Sequence, residues 1–278
     1  MRIRLLSIMS AILVALALAS PADAQYGARH FGSDRATGET YNVEVSGLFW
    51  NPTPDIVLSS AGSGSLAGLA GTNIDFQTDL GIEKKKLNQL KLVLRPGTKH
   101  KFRFEYTPIQ YTSQAILQTR LVFNGQAYNI GVPVNTEIDW KAYRFGYEYD
   151  FAYHDRGFVG VLLDLKYTDI NASLSSTFVG TEFAHARAPI PAIGIVGRGY
   201  VVPNVSITGE FSGFRLPNSV DQRYGGKYYD FDLYGTVNFN DHIGAQLGYR
   251  SFDVYYKVKQ DQGTMTLKGP YFGAVARF

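Results

Sequence analysis

Five histidines are the first candidates for proton transfer: His30, His100, His154, His185 and His242. By the expected topology only His185 lies on an extracellular loop, beside Glu182 and Arg187 and with Ser175 and Ser176 close in sequence, while His100, His154 and His242 fall at periplasmic turns and His30 in the leader. A histidine joined to an acid and a hydroxyl nucleophile could serve acyl transfer or lipid modification at a membrane surface. No lipase or protease motif surrounds these residues, so the reading is a solvated loop histidine. No His-x-x-x-His pair occurs, and Asp75 with Asp79 is too sparse for a calcium loop. The chain has no cysteine, which removes disulfides, thiol catalysis and cysteine zinc sites. No catalytic residue, cofactor or metal site is therefore expected.

A larger set of charges recurs at alternate positions. Eight acids fall on one face of successive extended segments: Glu44, Glu105, Glu148, Asp150, Asp164, Glu210, Asp230 and Asp232. Nine bases share that face: Lys91, Arg95, Lys101, Arg103, Arg144, Lys166, Arg198, Arg250 and Arg277. The opposite face is aromatic or aliphatic. Nearly matched signs predict an interior filled by ion pairs, whereas a ring of one sign would predict an ion-selective pore. A narrow path for a small solute stays open as the alternative.

The elements that must position these charges are strands, because a period of two is the strand signature. Tyr143, Phe145, Tyr147, Tyr149 and Phe151 oppose Arg144, Gly146, Glu148 and Asp150. Similar alternation runs from Asn42 to Phe49, Gln89 to Arg95, Lys101 to Tyr106 and Val159 to Thr168. It returns from Val205 to Ser212, Tyr229 to Phe239, Ile243 to Arg250 and Phe272 to Phe278, with a weak segment near Ile193. Slipping the Tyr143 segment by one residue would put Arg144 into lipid, at a cost of roughly 2–4 kcal/mol at the bilayer midplane. The stretch Thr264 to Lys268 is out of phase with the last strand, and a bulge near Gly269-Pro270 would reconcile the two.

Connections alternate in length. Short turns are expected at Pro96-Gly97-Thr98, His154-Asp155-Arg156, Val202-Pro203-Asn204 and Asn240-Asp241-His242. Long links run over 51–85, 112–132, 175–189 and 214–226. Short periplasmic turns facing long extracellular loops are the outer-membrane arrangement. The fold class is all-β: a closed antiparallel transmembrane β-barrel of meander topology with about ten strands. Eight strands remain open if the region 190–215 is misread, and twelve if Leu117 to Val134 forms a separate membrane hairpin rather than an extracellular one around Asn124-Gly125. Trp50, Trp140 and Tyr167 are expected in the outer aromatic girdle, and Phe151, Phe158, Phe239 and Phe278 in the inner one.

The N-terminus reads as a cleaved secretory signal over 1–24: Arg2 and Arg4, an apolar run from Leu5 to Ala19, then Ala22-Asp23-Ala24. A loose periplasmic leader follows over 25–39, and the barrel domain over 40–278. Removing Arg2, Arg4 and Asp23 from the 27 basic and 24 acidic residues leaves 25 and 23. Such a balance carries no basic stripe for nucleic acid. With 19 Tyr, 18 Phe and a mean hydropathy of −0.11, the chain suits a sheet whose alternate residues face lipid. The Ser/Gly/Ala stretch from Ser59 to Thr72 reads as a flexible loop able to fold into the barrel mouth.

The ending Gly269-Pro270-Tyr271-Phe272-Gly273-Ala274-Val275-Ala276-Arg277-Phe278, with the signal and the hairpin rhythm, resembles the small outer-membrane barrels, the OmpA and OmpW-like group. That resemblance implies an assembly signal at Tyr271, Phe272 and Phe278, read by the barrel-assembly machinery. Ala276 departs from it, standing where the group often has a second aromatic. The partners implied are outer-membrane lipid and that machinery, and the location is the outer membrane. The expected function is a structural or narrow-permeation role without catalysis. An outer-leaflet lipid-modifying or proteolytic enzyme and a soluble periplasmic binding protein are the alternatives.

Overall fold

The structure is a computed structural model, and residues 36–59, 72–216, 224–258 and 261–278 are described. The signal, the leader up to residue 35, the loop core 60–71 and residues 217–223 of the last long link lie outside the described residues.

All regular elements among the described residues are strands: β1 (Val43–Trp50), β2 (Thr53–Ser59), β3 (Ile74–Asp75), β4 (Leu87–Gly97), β5 (His100–Ile116), β6 (Leu121–Phe123) and β7 (Gln126–Tyr128). They continue with β8 (Pro133–His154), β9 (Gly157–Ser176), β10 (Gly180–Val202), β11 (Val205–Leu216), β12 (Tyr224–Asn238), β13 (Ile243–Val258) and β14 (Asp261–Arg277). The main sheet runs β1-β4-β5-β8-β9-β10-β11-β12-β13-β14 and closes by β14 pairing back to β1. This is a ten-strand antiparallel barrel with neighbour-to-neighbour connections. At the seam Phe278 N donates to Val43 O at 2.9 Å, and Phe278 O accepts from Asn42 N and Val43 N. Because closure leaves no free edge along this seam, the backbone groups there are satisfied within the protein.

Short turns follow Gly97, His154, Val202 and Asn238, where they were expected. The other end is different from the expectation. β8, β9 and β10 are 22, 20 and 23 residues long, about twice the ~9–11 residues that cross a bilayer. The predicted link 175–189 is therefore mostly strand, with a tight turn between Ser176 and Gly180. The region 112–132 supplies the end of β5 and a small separate hairpin of β6 and β7. Asn124 (φ 49°) and Gly125 (φ 81°) form its turn, both in the left-handed region an Asn-Gly hairpin turn requires. The hairpin is not a pair of membrane strands, so it does not bring the barrel to twelve.

The outer wall changes character along these long strands. Near the short turns it is apolar: Leu90 and Leu94, Phe102, Phe145, Leu163 and Leu165, Ile193 and Ile195, Phe231 and Leu233, Leu247 and Phe272 are all exposed. Tyr106, Tyr143 and Tyr167 mark the limit of this zone on three adjacent strands, with ring centroids 4.8 and 6.2 Å apart. Beyond them the outward positions carry Gln110, Lys141, Asp169, His185 and Arg187. Trp50 and Trp140 are not in the girdle as expected. Both point inward and are 1% exposed. Phe158 also points inward, whereas Phe151, Phe239 and Phe278 face out.

The bulge anticipated near Gly269-Pro270 is absent. β14 keeps one register against β13 from Ile243↔Ala276 to Val258↔Asp261, and one register across β1 and β2. Met265 and Leu267 are apolar and inward on the same face as Tyr271 and Val275. Here the inside of the barrel, not the chain's phase, has changed from polar to apolar.

Candidate functional site

The lumen has two layers. In the layer within the apolar zone, inward positions of β5, β8, β9, β11, β12 and β13 bring together the charges the alternation pointed to. Lys101 Nζ lies 2.6 Å from Glu148 and 2.9 Å from Asp150. Glu148 also accepts from Arg103 at 2.7 Å, and Arg103 reaches Glu210 at 2.5 Å. Arg144 contacts Glu210 at 3.3 Å, Asp164 at 2.9 Å and Glu105 at 3.6 Å. Arg250 pairs with Glu105 and, at 2.8 Å, with Asp230, which Lys166 also holds at 2.7 Å. One connected network thus links eleven of these groups.

Several pairs cross the lumen. Arg103 on β5 and Glu210 on β11 stand four strands apart in sheet order, as do Arg250 on β13 and Glu105 on β5. So do Lys91 on β4 and Asp232 on β12, 2.7 Å apart. Tyr271 joins this last pair from β14 by donating its hydroxyl to Asp232 at 2.7 Å. Of the three residues expected as an assembly signal, Tyr271 therefore faces the lumen, while Phe272 and Phe278 face outward, 56% and 60% exposed. The cross-strut arrangement needs space along the walls. Gly146 supplies some: a Cβ there would stand 2.5 Å from an Asp164 carboxylate oxygen.

The short-turn end is closed by the chain itself. Residues 36–42 cross the mouth instead of trailing loosely. Glu39 pairs with Arg198 at 2.8 Å and Arg95 at 3.6 Å, and accepts from Tyr200 Oη at 2.8 Å. Thr37 O accepts from Asn238 Nδ2, and Gly38 N donates to Asp241. Burial alone would raise the Glu39 carboxyl, but the Arg198 guanidinium, with Lys101 and Arg95, holds it down at about 2. Glu44 and Arg277, 2.6 Å apart, form the neighbouring layer.

The second layer, toward the long loops, is apolar. Trp50, Ile109, Tyr111, Ile138, Trp140, Phe252 and Leu267 line it and are 3% exposed or less. Leu121, Phe123 and Tyr128 of the β6–β7 hairpin fill it from above, as do Ile74, Phe76, Leu80 and Ile82 of the first long link. Trp140 and Tyr228 each put a ring centroid 5.0 Å from that of Phe252. The layers meet through cations over rings, Arg250 5.7 Å above Trp50 and Lys166 4.3 Å above Tyr228. This internal core was missed in the sequence. Its signal was the out-of-phase stretch at Met265 and Leu267.

His185 sits on the outer wall, beyond the tyrosines. Its Nε2 is 2.9 Å from Asp169, which Arg187 also contacts at 3.2 Å. Glu182, expected beside it, instead accepts from Asn124 of the hairpin. Ser175 Oγ donates to Asn135 O and Ser176 Oγ accepts from Phe178 N, so neither serves the histidine.

No protein-family model matches the chain, and no curated protein matches it. Solved structures do. The outer membrane protease OmpT from Escherichia coli aligns with a TM-score of 0.58 at 8% identity, over 85% of this chain and 97% of that one. Ail of Yersinia pestis aligns with a TM-score of 0.38 at 10% identity, covering 85% and 99%. The Pseudomonas putida toluene transporter TodX aligns with a TM-score of 0.37 at 7% identity, covering 85% and 90%. At such identities the OmpT likeness speaks to fold alone, and the fold it speaks for is the outer-membrane β-barrel.

Proposed function

We propose that this chain is an outer-membrane protein whose barrel is a closed, self-plugged structural element, with its short turns in the periplasm and its long strands projecting outward. The observation that carries this reading is the solvent-excluding lumen. Cross-lumen ion pairs bury Arg103, Glu105, Arg144, Glu210, Asp230 and Arg250, and an apolar plug lies above them. A permeation path would need a polar, wetted lumen through both layers, and wide pores take ~16–18 strands. Likeness to the small OmpA and OmpW-like barrels rests on the C-terminal strand, where exposed Phe272 and Phe278 suit recognition by an assembly machinery. Planar-bilayer recording tests the role: folded protein gives no conductance steps, and steady steps would overturn it.

The enzyme reading has one specific support, the His185–Asp169 pair on the same kind of barrel as a protease. Against it, the pair lies on the outer wall, and the nearby Ser175 and Ser176 hydroxyls bond to backbone instead of to the histidine. Peptide cleavage by the wild-type protein that His185→Ala abolishes would restore it.

A further inference from the structure

β4 is short. It begins at Leu87, opposite Trp50, while β5 and β2 on either side continue beyond that level. The wall between them is covered by the segment that leads into β4. Its apolar residues, Phe76, Leu80 and Ile82, point into the core. Its last four residues, Glu83, Lys84, Lys85 and Lys86, lie outside regular structure and are exposed.

The height of these lysines is set by their neighbours. The outward positions of β4 read Leu94, Leu92, Leu90 and Asn88, and Lys86 is next in that phase. On β1 the outward series ends at Phe49, and on β14 it passes Phe272 and Pro270 to exposed Lys268. All three strands change from greasy to polar at this level, so Lys84, Lys85, Lys86 and Lys268 lie where a bilayer has its headgroups. Exposed acids nearby in the chain are Glu83, next to Lys84, and Asp55 on β2, with Asp75 and Asp79 partly exposed in the covering segment. Three other wall cations beyond the apolar zone have acid partners: Lys141 with Asp139, Arg187 with Asp169, Lys227 with Asp253. Among the described residues these four lysines make no ion pair.

We propose that this basic patch is a binding site for the phosphorylated headgroup of a membrane lipid, seated against the non-strand segment that completes the wall. Lysine side chains at an apolar boundary extend their stems over the greasy wall and present ammonium groups to the headgroup layer. A phosphate there draws on several unpaired cations at once, and its acyl chains continue along Leu90, Phe49 and Phe272. The inference rests on the membrane reading given above, with the long-loop end toward the lipid that carries phosphate.

The test uses folded full-length protein in neutral detergent, with lipid A as the probe and binding read by native mass spectrometry. The variants are Lys84→Gln, Lys85→Gln, Lys86→Gln and Lys268→Gln combined, and a control carrying Lys141→Gln with Lys227→Gln. Each lysine near such a surface contributes enough that losing four weakens lipid capture by about tenfold or more. The control keeps wild-type capture, and inorganic phosphate at matching concentration does not displace the lipid. Equal capture by the two variants, or full displacement by inorganic phosphate, would overturn the proposal. Heat-modifiable gel mobility verifies the barrel in every variant. If the combined variant does not fold, Lys84→Gln with Lys85→Gln takes its place, with a smaller loss expected and no loss contradicting the site. Wild-type protein that fails to enter bilayers would sink the membrane reading itself, whereas a bilayer-inserted barrel with unselective capture would sink only the lipid site.

Discussion

Glu210 stands where two guanidiniums converge. It accepts from Arg103 at 2.5 Å, from Arg144 at 3.3 Å and from the Tyr234 hydroxyl at 3.0 Å. A buried ion pair is close to neutral when compared with well-packed apolar residues, but removing one partner leaves charge uncompensated, at about 3–5 kcal/mol. Glu210→Ala is therefore expected to lower the unfolding free energy of the detergent-folded barrel by that order, read as a lower urea midpoint, and an unchanged midpoint would contradict the strut role. Glu39 offers a titration at the short-turn mouth. Its carboxyl is depressed from 4.5 to about 2, so its contribution is fully present above about pH 4.5 and is lost as pH falls toward 2. Pepsin should then begin to cut near residues 36–42 as the pH drops through that window. Glu39→Gln should be cut there already at the upper end of it. A wild-type mouth equally protected at pH 2 and pH 4.5 would refute the clamp.

At the scale of the element, each strand spans three surroundings, and this decides what could be read from sequence. Within the hydrocarbon zone the two faces have different solvents, so alternation fixed both register and the inward charges, from Glu44 to Arg277. Beyond the tyrosines the faces exchange character, with polar residues outside and apolar ones within. The pattern stays periodic but its meaning inverts. That is why Met265 and Leu267 suggested a bulge, and why Trp50 and Trp140 suggested a girdle. Asn124-Gly125 marks the β6–β7 hairpin in the sequence, but where that hairpin and the Phe76–Ile82 segment pack was illegible, since their partners inside the barrel are far away in sequence. Because Trp50 and Trp140 are the only tryptophans, fluorescence separates the two placements. Emission in bilayers should resist both iodide and brominated acyl chains. Strong quenching by brominated lipid would return the tryptophans to the lipid face.

At the scale of the molecule, ten strands enclose an interior narrow enough for side chains to fill it. The chain fills it twice, with ion pairs within the apolar zone and with hydrocarbon above. Extension of β8, β9 and β10 past the tyrosines gives the upper core a wall of its own, so the plug is held by the barrel rather than by lipid. Charge at the lower layer and grease at the upper one both exclude water, which is the physical basis for expecting a barrel that does not conduct.

The claim on which all this depends is that hydrocarbon solvates the outer wall of the short-turn half. A cysteine-free chain allows a direct measurement, a nitroxide scan along β9 from Val159 to Lys166 in bilayers. Labels at Val159, Val161, Leu163 and Leu165 should collide with dissolved oxygen and not with a water-soluble nickel chelate, and those at Gly160, Leu162 and Asp164 with neither. Free collision of the nickel chelate with the first set would mean that water, not lipid, bathes the wall.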